Sequence, residues 1–231
     1  MNEIVQIADH PGLSVRVRRS ARARRMTLRV GRTDGVVTLT LPRSASLRDG
    51  ESFVAQQAGW IAKQVASVPD RRRVQVGGTL PLFGREVDVI AGPGRSARLV
   101  EAAISVPDDA RAAARVKALL RSLAQTHLAV AVDRYAEALG REPSEMTLRD
   151  TRSRWGSCSS RGKLMFSWRL VMAPPEILEY VAAHEVAHLK HMDHSPRFWA
   201  QVEALMPDYA PRRAWLRRHG ASLQAIDFDA A

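Results

Sequence analysis

Two histidines four residues apart are the strongest chemical signal in this 231-residue sequence. His184, Glu185 and His188 follow the order His-Glu-x-x-His, and residues four apart lie on one face of an α-helix. One metal ion can therefore accept a nitrogen from each imidazole. The carboxylate of Glu185 then lies within reach of a water on that metal. The pattern predicts a catalytic zinc site.

A third protein ligand would leave one position open for water, which is typical of catalytic zinc. His194 is the preferred ligand, and Glu203, farther along the chain, is the alternative. His191 would continue the same helical face, but seven residues of straight helix place it roughly 10 Å from His184. The chain must therefore turn back before it supplies the third ligand, and His191 is expected to be solvated or to lie outside the ligand shell.

Proline and serine positions indicate where the helices around this motif begin. Pro174 and Pro175 suit the start of the helix that carries the histidine pair. Ser195 and Pro196 read as the N-cap and first residue of the next helix. A break in the chain is therefore expected at about residues 190–195.

The segment before the histidine helix reads as strand, turn and strand. We predict a first strand at Met146–Leu148, a sharp turn or bulge at residues 155–158, and a second strand at Leu164–Val171. An edge strand beside a zinc helix is well placed to bind an extended peptide through its backbone. Residues 154–160 are the hypothesised peptide-binding segment.

The upstream sequence alternates in the manner of strands and then of helices. The predicted elements are strands between Leu13 and Leu41 with a turn at Gly31–Gly35, a helix through Phe53 and Val65 after a Ser46–Asp49 capping box, strands over 74–106, and a helix over about 109–139 ended by Gly140. We therefore expect an α+β fold. Its predicted division is a β-rich N-terminal region with one helix at 1–107 and a second domain at 108–231.

Several motifs together resemble the YgjP-like metallopeptidases, bacterial relatives of the SprT-type proteases. The matching segments are Arg154–Ser159 (RWGSCS), Leu170–Pro174, His184–Leu189, His194–Ser195 and Phe198–Trp199. The resemblance is strongest over about residues 145–200 and weaker upstream. The combination is much more specific than any of these motifs alone.

This resemblance implies a zincin-like C-terminal metallopeptidase domain with an HExxH helix. It implies one zinc ion per chain with His184, His188 and His194 as ligands, and Glu185 as the catalytic base. The implied reaction is peptide-bond hydrolysis by Glu-assisted attack of a zinc-bound water, with a protein or peptide as substrate. No particular physiological substrate follows.

Other residues are candidates for supporting roles. Candidates for contact with the substrate or the transition state are Tyr180, Arg152, Arg154 and Trp155. Candidate carboxylates to orient the imidazoles are Asp150, Glu179 and Asp193. Cys158 is the single cysteine, so no internal disulfide is expected. We interpret it as a small buried apolar residue rather than a nucleophile.

The chain is strongly basic, with a net charge of +11 and a pI near 11.0. Arginines are dense between Arg16 and Arg32, where no acidic residue occurs, and they recur at Arg71–Arg73. Guanidinium groups suit phosphates, so nucleic acid is a second expected partner. Only four lysines occur, so a compositional bias toward arginine explains the charge equally well.

Two other functions fit the sequence as alternatives. One is a nucleic-acid-associated protein with a structural or vestigial zinc site, and the other is a zinc amidase acting on a non-peptide amide. The intact Glu185 favours an enzyme, because a structural site needs no general base. The N-terminus resembles no secretion signal and no apolar run reaches 18 residues, so we expect a cytoplasmic protein without a membrane span.

Overall fold

The computed structural model describes residues 3–6, 14–31, 33–151 and 153–229. The predicted positions Leu13, Arg32 and Arg152 lie outside these residues. The chain forms two compact units, residues 1–70 and 71–231. No helix in the described ranges is both long and apolar enough to cross a membrane.

The first unit is a four-stranded sheet with two helices. Its elements are β1 (Glu3–Gln6), β2 (Ser14–Ser20), β3 (Thr27–Val30), β4 (Val37–Pro42), α1 (Leu47–Gln56) and α2 (Ala58–Ala66), and the strand order is β1-β2-β4-β3. Alternate residues of β2 and β4 are buried, as a sheet with one covered face requires. Its core consists of Val15, Val17, Val37, Leu39, Leu41, Val54, Ala58 and Ile61.

The start of α1 follows the prediction, but its extent does not. The Ser46 hydroxyl accepts from the Asp49 backbone N–H, and the Asp49 carboxylate accepts from Ser46, which confirms the capping box. The single predicted helix is wrong, because the helix is interrupted at Gln57 and two helices follow Ser46. Gly59 lies just after the interruption, and glycine weakens helical continuity there.

The second unit combines small sheets with longer helices. Its elements are β5 (Arg72–Arg73), β6 (Thr79–Leu82), β7 (Arg85–Ala91), β8 (Arg98–Val100), β9 (Ala103–Val106), α3 (Ala112–Leu139), β10 (Glu145–Arg149), β11 (Gly156–Cys158), β12 (Lys163–Ser167), a 3-10 helix (Trp168–Met172), α4 (Pro175–Ala187), α5 (Pro196–Leu205), α6 (Tyr209–Gln224) and β13 (Ile226–Asp227). The α+β class is as predicted.

The division of the chain falls at 70/71, whereas the sequence suggested 107/108. Strands β6–β9 belong to the second unit because they share its core. Their residues Leu80, Val89 and Ile104 are buried in one hydrophobic cluster with residues of α3 and α4. The hairpin between β6 and β7 also contacts the start of α4. Gly84 has φ +77°, and a Cβ there would lie 2.9 Å from the Pro174 Cα, so this close approach requires glycine.

The long helix α3 forms the centre of this core. Its buried residues Val116, Leu120, Ala124 and Leu128 recur every four positions on one face. Gly140 ends the helix in the left-handed conformation with φ 70°, as predicted. The helix packs against α4 and therefore supports the helix that carries the histidine motif.

The strands beside α4 differ in detail from the prediction. Residues 156–158 form strand β11 rather than a turn, and the sheet order is β10-β12-β11. The predicted strand Leu164–Val171 ends at Ser167, and Trp168–Met172 form the 3-10 helix. All five residues of that helix are buried, and a short buried apolar run shows no periodicity that separates strand from helix.

Candidate metal centre

Helix α4 carries the first histidine and the glutamate of the motif. Pro174 is its N-cap and Pro175 its first residue, as predicted. His184 and Glu185 lie in its last turn, and His188 follows its final residue. The helix is buried on most of its surface, so these polar side chains are held by an apolar surround.

The chain turns back immediately after His188, and the predicted break is confirmed. The backbone N–H groups of Lys190 and His191 both donate to the Ala187 carbonyl, at 3.1 Å each. The Arg141 guanidinium donates to the Leu189 carbonyl at 3.0 Å, which satisfies another group at the helix end. α5 then begins at Pro196 with Ser195 as N-cap.

This turn brings the three predicted imidazoles together. One ligand nitrogen from each of His184, His188 and His194 lies within 4.8 Å of the other two. The Nε2 atoms of His184 and His194 are 3.2 Å apart. Two ligands of a tetrahedral zinc are separated by about 3.3 Å, given Zn–N bonds of about 2.0–2.1 Å. The donor set and its spacing therefore fit a zinc ion.

The alternative ligands lie outside this group. Within the described ranges, the metal-ligating cluster contains the three histidines and not Glu203, which is exposed on α5. His191 contributes its backbone rather than its ring. The His188 Nδ1–H donates to the His191 carbonyl oxygen at 2.8 Å, which leaves Nε2 of His188 as the lone-pair donor.

Burial keeps the imidazoles of His184 and His188 neutral, as metal ligands must be. Burial, together with the smaller effects of the nearby His188, His194 and Arg213, lowers the pKa of His184 to about 3. Burial also lowers the pKa of His188, against the opposing hydrogen bond to His191. Nδ1 of His184 is buried without a hydrogen-bond partner among the described residues.

Aromatic side chains from α5 hold the imidazoles in place. Phe198 is fully buried, stacks on His188 at a centroid distance of 4.3 Å, and contacts His184 and His194 edge-on at 4.9 and 4.8 Å. Trp199 lies 5.6 Å from His184 and 5.7 Å from His194. These supports were missed as functional residues, because only the fold brings α5 over the histidine motif.

Glu185 lies beside the histidines in a largely dry position. Its exposure is 5%, and burial raises the pKa of Glu185 to about 8, against the opposing charge of Arg154. Gly156 of β11 approaches it closely. A Cβ at residue 156 would lie 2.5 Å from Glu185 Oε1. The sequence shows the small residues of RWGSCS, but it does not show this reason for the glycine.

The remaining candidates have separate surroundings. Tyr180 lies one turn before His184, with ring centroids 5.9 Å apart, and burial raises the pKa of Tyr180 to about 12. Arg154 is exposed. Trp155 packs onto α6, because a Cβ on Gly220 would lie 3.0 Å from its ring. Trp155 thus packs against the hydrophobic core of the second unit.

Arg213 of α6 is a further charged group at this site that the sequence did not reveal. Its guanidinium carbon lies 4.2 Å from the Trp199 ring centroid, in a cation–π contact. Burial dominates the pKa values of Tyr180 and His184, and the charge of Arg213 acts on both. A positive charge therefore borders the histidine cluster on the α6 side.

The carboxylates suggested as orienting groups have other partners. Asp150 binds the buried Arg169 at 2.6 Å, and Glu179 binds Arg134 at 2.5 Å. Asp193 accepts from the Ser195 backbone N–H at 3.2 Å. Backbone and aromatic contacts, rather than these three carboxylates, orient the imidazoles in the described structure.

Cys158 is half-buried at the end of β11 and packs against the hydrophobic core of the second unit. Burial, together with the smaller effect of the negative charge of Glu185, raises the pKa of Cys158 to about 11. The thiol is therefore protonated at physiological pH. A protonated thiol is a poor nucleophile, which agrees with its interpretation as an apolar residue.

Comparison with known proteins identifies the class of this chain. A family model described as YgjP-like, metallopeptidase domain, matches residues 24–219. The chain therefore belongs to the YgjP-like metallopeptidase family, and the family implies a peptide substrate. No curated protein matches it significantly.

One solved structure similar to this chain is the metallopeptidase zymogen of Pyrococcus abyssi abylysin. Their sequence identity is 22%, and the match covers 40% of this chain and 92% of that one. The TM-score is 0.36, which is too low to support a structural argument.

Proposed function

We propose that this protein is a zinc-dependent peptidase with a zincin-like catalytic centre. His184, His188 and His194 hold one zinc ion, and Glu185 is the general base. The observation that carries the proposal is the convergence of three imidazole nitrogens within 4.8 Å beside a buried carboxylate. A structural zinc site would have four closed ligands and no use for that carboxylate.

The proposed reaction uses Glu185 to move one proton. A bound zinc supplies Lewis acidity toward the scissile carbonyl and lowers the pKa of a coordinated water to about 7. Glu185 accepts the proton of the attacking water and then delivers it to the leaving amine. Its buried position suits this task, because a carboxyl with a raised pKa releases and accepts protons near neutral pH.

Tyr180 is the proposed donor to the oxygen that becomes negative during the attack. Its pKa of about 12 keeps the phenol protonated, so its O–H can donate a hydrogen bond. Arg154, whose charge acts on Glu185, is the proposed group that limits how far the pKa of that carboxyl rises. The role of Tyr180 acts on charge that develops in the transition state, whereas that of Arg154 acts on the base before the attack.

The free edge of β11 is the proposed site for the substrate backbone. Within the described sheet β11 pairs with β12 on one side only. Gly156 of the same strand contacts Glu185, so a peptide paired with this edge would lie beside the base. Proline placed in turn at Gly156, Ser157 and Cys158 should raise KM where it removes an outward N–H. An unchanged KM in all three folded variants would contradict this binding mode.

The test of the proposed function compares two carboxylates. Glu185→Gln should lower peptidase turnover by about 10²–10⁴-fold or more while the zinc content stays the same. Glu203→Gln is the matched control, since Glu203 is exposed on α5 and should leave both unchanged. Full activity in Glu185→Gln would reject the base. Hydrolysis of acyl-lysine amides without hydrolysis of any peptide would favour the amidase instead.

A further inference from the structure

The sheet of the first unit has one covered face and one arginine-rich face. Val15, Val17, Leu39 and Leu41 point to the side covered by α1 and α2. The intervening residues point to the other side. Of those with described side chains, we call Arg16, Arg18, Thr27, Arg29, Thr38 and Thr40 the basic face.

Strand register arranges the basic face as a regular array. Arg16 pairs with Thr38 on β4, and Arg29 of β3 pairs with the same threonine from the other side. Arg18 pairs with Thr40 in the next row. Arg16 and Arg18 are therefore about 6.6 Å apart along the strand, and Arg16 and Arg29 about 9.6 Å apart across two strand spacings.

The charge of this face is not neutralised within the described structure. Arg16, Arg18 and Arg29 are exposed, and none of them is in an ion pair there. The turn between β2 and β3 adds the exposed Arg22, Arg24 and Arg25. No acidic residue occurs between positions 14 and 33. Six guanidinium groups thus lie in one segment of the chain that contains no carboxylate to neutralise them.

We propose that the basic face binds the phosphate backbone of double-stranded nucleic acid without reading its bases. Guanidinium groups bind phosphates through paired N–H donors, and the threonine hydroxyls between them are further donors. Residues 14–42 contain no aromatic side chain on which unpaired bases would stack, so a duplex fits better than a single strand. No large exposed hydrophobic residue lies in the described part of that segment, which disfavours insertion into a lipid surface.

The test measures duplex affinity of the full chain against salt. Wild-type protein should bind a random 25-base-pair duplex with a slope of log affinity against log salt of about −0.9 for each phosphate contacted. Arg16→Thr with Arg18→Thr, which keeps strand-forming residues, should reduce the slope by about 1.8 and weaken binding at least tenfold. Arg29→Thr alone should reduce the slope by about 0.9.

The control removes the same charge elsewhere. Arg217→Ala with Arg218→Ala changes two exposed residues of α6 and should leave the slope unchanged. An equal loss in both double variants would overturn the proposal, because binding would then follow net charge alone. Tighter binding to a single strand of equal length would overturn it too, as would binding to phosphatidylserine vesicles but not to duplex.

Discussion

The two units of the chain use charge in opposite ways. In the first unit, the arginines of the sheet are exposed and the buried residues are apolar. In the second unit, Glu185 and His188 are buried, and the four side chains with the largest pKa shifts are Cys158, Tyr180, His184 and Glu185. Chemistry needs groups whose proton affinity burial can tune, whereas a phosphate-binding surface needs charges that stay hydrated until they bind.

The largest effect we expect tests whether packing maintains the metal centre. Phe198→Ala removes a fully buried ring that contacts all three imidazoles, so it should lower the free energy of unfolding by about 3–5 kcal/mol and weaken zinc binding. Thermal melts and competition with a zinc chelator measure both. Phe198→Leu should recover most of the stability. Normal zinc affinity in Phe198→Ala would show that the imidazoles need no aromatic support.

The next effect separates the position of the base from the presence of the metal. Gly156→Ala would place a methyl group against the Glu185 carboxylate, and a displacement of about 1 Å costs about a hundredfold in turnover. Zinc content should not change. Gly59→Ala is the control, because no atom lies within 4 Å of the added methyl there. Equal turnover in Gly156→Ala and wild type would disprove the positioning role of Gly156.

The reactivity of Cys158 measures how strongly the protein excludes water from the surroundings of Glu185. Because the pKa of Cys158 is raised from 9.0 to about 11, the neutral thiol is favoured and the thiolate appears only at higher pH. Alkylation by iodoacetamide at pH 8 should be about a hundredfold slower than for the unfolded chain, and its rate should keep rising up to about pH 11. A rate that levels off near pH 9 would place the thiol in an ordinary aqueous setting.

Local sequence signals predicted the parts of both units that depend on neighbouring residues. The capping box at Ser46, the left-handed Gly140 and the proline starts of α4 and α5 are set by backbone chemistry within a few positions. The proline starts of α4 and α5 also predicted the break that brings His194 back toward the motif. These elements needed no knowledge of the rest of the fold.

The missed features depend on tertiary contacts instead. The 3-10 helix at Trp168–Met172 is an apolar run whose conformation is set by the core around it. The contact of Gly156 with Glu185 and the stacking of Phe198 on His188 join segments that are 29 and 10 residues apart in sequence. Arg213 reaches the site from a third helix. Residue types suggest no such pairing before the chain is folded.

The smallest expected effect asks whether stability of the first unit matters for the chemistry of the second. Ser46→Ala removes the N-cap of α1 and should cost about 1 kcal/mol. Zinc content and turnover of a short peptide should stay within experimental error. A loss of turnover as large as that of Gly156→Ala would show that the chemistry of the second unit depends on the stability of the first.

The most direct test of the account is the zinc content of purified wild type, His194→Ala and His191→Ala, measured side by side by elemental analysis. We expect about one zinc per chain in the wild type, little in His194→Ala, and near-normal zinc in His191→Ala, whose backbone carbonyl still accepts from His188. Full zinc in a folded His194→Ala protein would move the third ligand elsewhere. A wild type without zinc after reconstitution would contradict the proposed metal centre itself.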